Sequence, residues 1–413
     1  MIFRRLKLLN RIFCLFLFFL PLASFASQSF IWDEFIAEIQ KASVEKKNAI
    51  IENFIQEQKG SFPLVQGTKA IFIYYGKGQE VAIAGDFNGW QPVSPMIQIS
   101  ETNLWYLVQE FPGDSRMEYK IVVDKEWILD PLNPKKDLGG YGYNSDIWMP
   151  SYKSPAWFNK QVAENKGEVQ SFIIESKILG NSRKLQVYTP YQYDPTMRYP
   201  LLIVHDGDDY IKMAYATKLM DLLIQEKRIG PLVVAFIDPV KRFEEYGCSE
   251  EYYEFTKTEL VPFLEKNFSI TSERSHRAFA GASMGGVVSF YLAYKMHESF
   301  GKALCQSGAF LFRETKGKEE NPKIGDVLES IDYSKIQNSR FWLDCGTIGP
   351  LEQFLLQGNH ILRNKLSQKG IPYSYKELPE AHNWGSWRKI LEDALVYLFA
   401  EIYPQKTQSD QEK

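Results

Sequence analysis

The stretch Arg277-Ala278-Phe279-Ala280-Gly281-Ala282-Ser283-Met284-Gly285-Gly286 decides the fold. Its short apolar run predicts a strand, and Gly286 to Lys295 predicts a helix. Between them sits Gly-x-Ser-x-Gly. A strand-to-helix turn this tight needs flanking positions almost without side chains, and it throws the serine Oγ out at the head of a sheet. The N–H of Met284, at the helix start, would face an oxyanion forming on a bound carbonyl. The competing interpretation is a glycine-rich helix start without chemistry. The strand before it and the pattern around it favour a nucleophile.

Outward from the turn, apolar strand runs alternate with helical stretches. Strand candidates are Leu201–Val204, Val233–Ile237, Arg277–Ala280, Phe341–Cys345 and Tyr373–Leu378. Helical candidates are Ala214–Glu226, Glu250–Phe268, Gly286–Lys295, Gln357–Lys369 and Trp384–Ile402. That alternation predicts an α/β fold over residues 171–404, a mostly parallel sheet with helices on both faces.

A serine hydroxyl is a weak nucleophile until a base removes its proton. In this architecture the chain order is Ser, acid, His, and of the five histidines only His297, His360 and His382 follow Ser283. His297 comes too soon after the turn, and His360 lies within a helical run. His382 sits in Pro379-Glu380-Ala381-His382-Asn383-Trp384, a loop after the last strand, and is the expected base. The acid should follow Phe341–Cys345. Asp344 lies inside that strand and Glu352 in the loop beyond it; Glu352 is favoured, with Asp344 the alternative. A second oxyanion donor is expected in His205-Asp206-Gly207-Asp208-Asp209, as the N–H of Asp208 beside a glycine that allows close approach.

Upstream the pattern changes. Residues 61–150 hold short strands, among them Ala70–Tyr75, Val81–Gly85, Asn103–Glu110 and Glu118–Val123, which predict a small antiparallel sandwich of immunoglobulin-like type. Residues 27–60 carry Ile31, Phe35, Ile39, Ile50, Phe54 and Ile55 at helical spacing and are expected to pack on a neighbouring domain. Residues 151–170 have the composition of a linker, and residues 405–413 that of a solvated tail.

At the N-terminus, Arg4, Arg5, Lys7 and Arg11 flank an apolar run from Ile12, followed by Ala23-Ser24-Phe25-Ala26. That is the pattern of a signal peptide over residues 1–26, cleaved near Ala26. A retained anchor is the alternative, although the run is short for a ~20-residue span. Cleavage would remove four positive charges and no negative one, taking the formal net charge from −3 to −7. The expectation is an exported protein, periplasmic or secreted, without stable membrane insertion. With 48 basic against 51 acidic residues, no general basic field supports nucleic-acid binding. At 45 % hydrophobic, the chain is not mainly disordered. The four cysteines include no C-x-x-C pair, so neither a zinc ribbon nor a disulfide framework is expected; whether any of Cys248, Cys305 and Cys345 pair stays open.

Several ordered motifs carry a resemblance. They are Leu201–Gly207, Ile237–Glu245, Cys248-Ser249-Glu250-Glu251, Glu259–Pro262, Gly281–Gly286, Gln306-Ser307-Gly308, and Ala381-His382-Asn383-Trp384 with Trp387-Arg388. Together they resemble the enterochelin esterase branch of the esterase D-like α/β-hydrolases, over roughly Ser171 to Ile402. The resemblance implies serine ester hydrolysis without metal or cofactor, with Arg242, Arg388 and Trp384 near the substrate. A planar guanidinium there would suit an anionic or hydroxyl-rich substrate; pairing with nearby glutamates is the alternative. One departure concerns the acid. The family usually shows Gly-Thr/Ile-x-acid-Pro after the penultimate strand, whereas Gly349 precedes Pro350 here, and a three-residue insertion restores the register onto Glu352.

Gly85-Asp86-Phe87-Asn88-Gly89-Trp90, Tyr119–Asp124, Trp127 and Asp130-Pro131 resemble the glycogen- and starch-binding E-set modules of the AMP-activated kinase β type. Binding members stack two tryptophans on sugar rings and hold hydroxyls with lysine and asparagine. Trp90, Trp127, Lys120 and Asn144 occupy matching positions, which implies an α-glucan ligand. Related modules also serve only as packing platforms that shape the mouth of an adjacent catalytic domain, and that role is favoured. The expected function is a serine esterase acting on a siderophore-like or glycan-linked ester through an acyl-enzyme. An acyltransferase of the same superfamily and a non-catalytic glucan-binding protein are the alternatives.

Overall fold

A computed structural model describes residues 31–311, 315–316, 319–320, 328–400 and 402–406. The segment expected to be a signal peptide lies outside the described residues, as does most of the tail. Every residue of the strand Leu201–His205 is buried. Leu201 and Ile203 enter one apolar cluster with Phe255 and Val287, while Leu202 and Val204 enter another with Leu219 and Leu395. A strand covered on both faces is apolar throughout rather than alternating. Around it lies an eight-stranded sheet. Its spatial order is Glu168–Ser176, Asn181–Thr189, Val233–Ile237, Leu201–His205, Arg277–Ala282, Lys302–Gln306, Arg340–Gly346 and Tyr373–Leu378. The last six strands are parallel. The first two form an antiparallel hairpin at the edge, which strand–helix alternation does not reveal.

Residues 151–170, expected as a linker, are mostly exposed but anchored at Trp157 and Phe158. Trp157 is buried in the second cluster, Lys218 Nζ donates to the Phe158 carbonyl at 2.6 Å, and the first strand already starts at Glu168. At the other end, Gln405-Lys406 pair with Met197-Arg198 instead of trailing into solvent.

The smaller unit is a sandwich of two antiparallel sheets. One contains Lys69–Tyr75 and Leu104–Glu110; the other contains Val81–Gly85, Arg116–Val123 and Gly142–Trp148. Phe72, Ile83, Tyr119 and Ile121 fill its core, joined by Ile348 and Ala381 from the larger domain. The helices Ile31–Lys41 and Val44–Glu57 lay Trp32, Phe35, Ile39, Ile51 and Phe54 against Ile71, Ile73 and Leu104. This is an apolar stripe at helical period meeting one sheet face. Among the described residues no helix is long and apolar enough to cross a membrane.

Candidate active site

Ser283 ends the strand Arg277–Ala282 and starts the helix Met284–Lys295, with φ 58° and ψ −120°. A non-glycine residue rarely adopts that conformation, and it is held here by its neighbours. The Ser283 N–H donates to the Gln306 carbonyl at 2.8 Å, and the Ser283 carbonyl accepts from Ala309 at 3.2 Å. A Cβ at Gly281 would collide with the backbone of Gly285, which explains why the turn is glycine-rich. Met284 occupies the first position of the helix, where backbone N–H groups have no intrahelical acceptor.

The carboxylate and the imidazole meet directly. His382 Nδ1 lies 3.0 Å from Glu352 Oε1. An ionised carboxylate only accepts, so the imidazole proton belongs on Nδ1 and Nε2 keeps its lone pair. Glu352 is fully buried and also accepts from Ser307 Oγ at 2.7 Å and Cys345 Sγ at 3.0 Å. Burial opposes its charge, but His382, Cys345 and Ser307 outweigh it and hold the carboxyl below its ordinary value. The helix carrying Glu352 starts at Pro350, earlier than the expected Gln357, so Glu352 sits in its first turn rather than in a loop. Proline suits a first helical position, and a carboxylate is favoured near a helix N-terminus. Ser283 and Glu352 lean on consecutive residues, Gln306 and Ser307, at the end of one strand. That places both beyond the carboxyl end of the central strands.

Asp344 is placed differently. It is buried within its strand, accepts from Trp342 Nε1 at 2.7 Å and lies 3.5 Å from Gln306 Nε2. Burial pushes its carboxyl up to about 7 against the Trp342 hydrogen bond.

Three expectations need correction. The Asp208 N–H donates to Asp238 Oδ1 at 2.8 Å, and the Asp208 side chain binds Lys184 and Lys212, so this donor is already engaged. Arg242 forms a two-pronged pair with Asp206, at 2.8 and 2.7 Å, and braces the loop beside the serine turn instead of projecting toward a substrate. Arg388 is buried between the domains, bonded to Asp137 and to the Met213 carbonyl at 2.9 Å, and packed 4.4 Å over the Phe158 ring. Neither arginine is left unpaired for a ligand.

Trp384 is 7 % exposed and reaches a cavity wall. With Trp387 and His382 it lines a cavity of about 480 Å³ whose other wall is the sandwich: Trp90, Lys120, Trp127 and Asn144, with Tyr141 at the rim. The four residues that the resemblance links to a glycan therefore share one cavity with the histidine. Trp127 is 45 % exposed, which leaves an indole face for a ligand. Trp90 Nε1 donates to Asp86 Oδ1 at 3.0 Å and Asn144 Nδ2 to Glu118 Oε2 at 2.8 Å, so both are held in place.

The sequence reading missed the supports. Ser307 and Cys345 fix Glu352, and Trp387 Nε1 donates to Ser307 Oγ at 3.1 Å. The Gln306-Ser307-Gly308 motif was their only sequence signal. Cys248, Cys305 and Cys345 are all free and buried. Among the described residues no group of three or more His, Cys, Asp or Glu could hold a metal ion.

Comparison with known proteins bears on the family and the fold. The glycogen recognition site of AMP-activated protein kinase matches as a family model over residues 68–144. The endo-1,4-beta-xylanase/feruloyl esterase of Xylanibacter ruminicola is 25 % identical over 266 residues, 57 % of this chain and 36 % of that protein. The chain thus spans about a third of that relative's length. The iron(III) salmochelin esterase of Escherichia coli is 23 % identical over 330 residues, 73 % of this chain and 79 % of its own. The solved enterochelin esterase of Shigella flexneri shares the fold, with TM-score 0.68 at 21 % identity over 84 % of this chain and 97 % of its own. The esterase family model matches residues 176–398, more than half of the chain. This protein, an α/β-hydrolase behind a glycogen-recognition-type sandwich, belongs to the esterase family.

Proposed function

We propose that this protein is an exported serine esterase that cleaves a carboxylic ester held between its two domains. The observation that carries the reading is the His382–Glu352 hydrogen bond at the carboxyl end of the sheet, where Ser283 is held at positive φ. Ser283 Oγ attacks the ester carbonyl as His382 Nε2 takes its proton. Glu352 keeps Nδ1–H oriented and balances the imidazolium charge. The Met284 N–H steadies the tetrahedral oxyanion. His382 then returns the proton to the departing alcohol, and water resolves the acyl-enzyme by the same steps in reverse.

The aromatic cavity suggests what the ester carries. Flat indole faces of Trp90, Trp127 and Trp384 suit a sugar or an aromatic ring, while Lys120 and Asn144 offer polar contacts. Relatives named for feruloyl and salmochelin esters support that class. The sandwich then acts as a wall of the substrate cavity rather than as an independent glucan anchor.

Ser283→Ala should abolish turnover of a short-chain chromogenic ester and of a feruloylated or acetylated oligosaccharide alike; activity surviving in that variant sinks the reading. Trp127→Ala should raise KM for the glycan ester several-fold and leave the short ester nearly unchanged. Equal effects on both would remove the cavity wall from the proposal.

A further inference from the structure

The interface beneath this cavity is built from buried charge. Arg116, on the sandwich strand Arg116–Val123, is 1 % exposed. Its guanidinium donates to Asp146 at 3.1 Å, Glu118 at 3.1 Å, Asp137 at 2.8 Å and, across the domain boundary, Asn383 Oδ1 at 2.9 Å. Asn383 Nδ2 in turn donates to Asp86 Oδ2 at 2.7 Å. That oxygen also accepts the Glu118 N–H at 2.7 Å. Asn383 Oδ1 further accepts from Ser386 N and Oγ, both at 3.0 Å, and so caps the helix Trp384–Phe399. Both ends of one amide are therefore fixed, its oxygen by Arg116 and Ser386 and its nitrogen by Asp86.

Asn383 adjoins His382. The same loop is tied to the acid as well, because the Glu380 carbonyl accepts the N–H groups of Thr347 and Ile348, each at 3.0 Å. Gly349, at φ +86°, presses so closely on the Asp86 carbonyl that a Cβ would collide with it. Asp86 thus touches the approaches to both His382 and Glu352. Buried ion networks are expensive to desolvate, and apolar packing could join two domains at lower cost. What directional bonds add is angular definition.

We propose that the sandwich is part of the catalytic apparatus: Arg116 and Asp86 are positioning residues that orient Asn383, and through it hold the His382 ring in line with Glu352. The inference rests on the serine esterase reading. It goes beyond that reading by making activity depend on a domain that contributes no reacting group.

The test uses the full chain with Arg116→Lys, Asp86→Asn and the near-isosteric Asn383→Asp, which turns a donor into an acceptor facing Asp86. Asp130→Asn is the control: Asp130 is buried in the sandwich and accepts from Tyr119 Oη at 2.5 Å, away from Asn383. Kinetics on a short-chain chromogenic ester are paired with the rate at which a fluorophosphonate labels Ser283, below each variant's melting temperature. The expected result is a tenfold or larger fall in kcat and labelling rate at near-constant KM for the three variants. The control should stay within twofold of wild type, whatever its loss in melting temperature. The double variant Asp86→Asn/Asn383→Asp exchanges donor and acceptor, and should recover part of the kcat lost in Asn383→Asp. Wild-type rates in the folded single variants, or an equal fall in the control at matched melting temperature, would overturn the proposal. Should one variant fail to fold, the others decide by the same criteria. Absence of labelling in the wild-type protein at Ser283 would instead bring down the esterase reading, and the positioning role with it.

Discussion

On one face of the β-sandwich, Trp32, Phe35 and Phe54 lie on Ile71, Ile73 and Leu104. On the other, Arg116 and Asp86 meet Asn383 of the larger domain, and Glu118 and Asp146 back Arg116. The first contact is non-directional: its strength follows the apolar area removed from water, and small shifts cost little. The second is directional. Each bond fixes an angle, and losing one partner leaves a buried charge unsatisfied. The same small domain is thus held from outside by packing and holds the loop of His382 by directional bonds.

The comparison has content only if the loops reached by the charged face carry the chemistry. Glu352→Gln should lower kcat by roughly 10³-fold or more, since it removes the charge that orients the imidazole, whereas Asp344→Asn should cost under tenfold. Steady-state kinetics on a chromogenic ester check this, and the reverse ranking would shift the acid to Asp344.

The apolar face should behave in the opposite way. Trp32 is buried and packs 5.0 Å from the Tyr106 ring and 5.2 Å from Phe35. Trp32→Ala should cost about 3–5 kcal/mol of stability in denaturant titration, with kcat in the folded protein within twofold of wild type. If kcat instead falls as far as in Arg116→Lys, the two faces do not differ in kind.

The smallest expected effect separates Asp344 from Glu352 by its titration. Its ordinary value is 3.8, and burial raises it to about 7 in the folded chain. The folded state therefore binds the proton more tightly, so this group stabilises at low pH and its contribution is lost as pH rises from about 4 to 7. Asp344→Asn should reduce the fall in melting temperature between pH 5 and pH 8 by a few degrees. An unchanged fall would mean that Asp344 does not titrate in that window.

The serine turn was legible because its cause is local: only glycine-flanked sequence fits a turn in which Gly281 touches Gly285. His382 followed from chain order and from the scarcity of histidines after Ser283. Glu352 was legible only as a preference. Its distinction from Asp344 lies in which face of a strand each carboxylate meets, and two carboxylates eight residues apart carry no such mark in sequence.

Arg242 and Arg388 show the limit most clearly. Both sit within recognisable motifs, but a guanidinium's partner is set by what packs beside it, here Asp206 and Asp137. Asp208 was misjudged for the same reason, since its N–H is claimed by Asp238, thirty residues away. Arg116 carried no motif at all, and its bond to Asn383 spans 267 residues. Both domain folds, the serine and the histidine could be read from short-range signals, because steric turns, strand periodicity and chain order act over short distances. That Trp90 and Trp127 of the sandwich and His382 of the hydrolase line one cavity is settled by the packing of the two domains. That juxtaposition depends on how one folded surface docks on another, and docking is fixed by contacts between residues far apart in the chain.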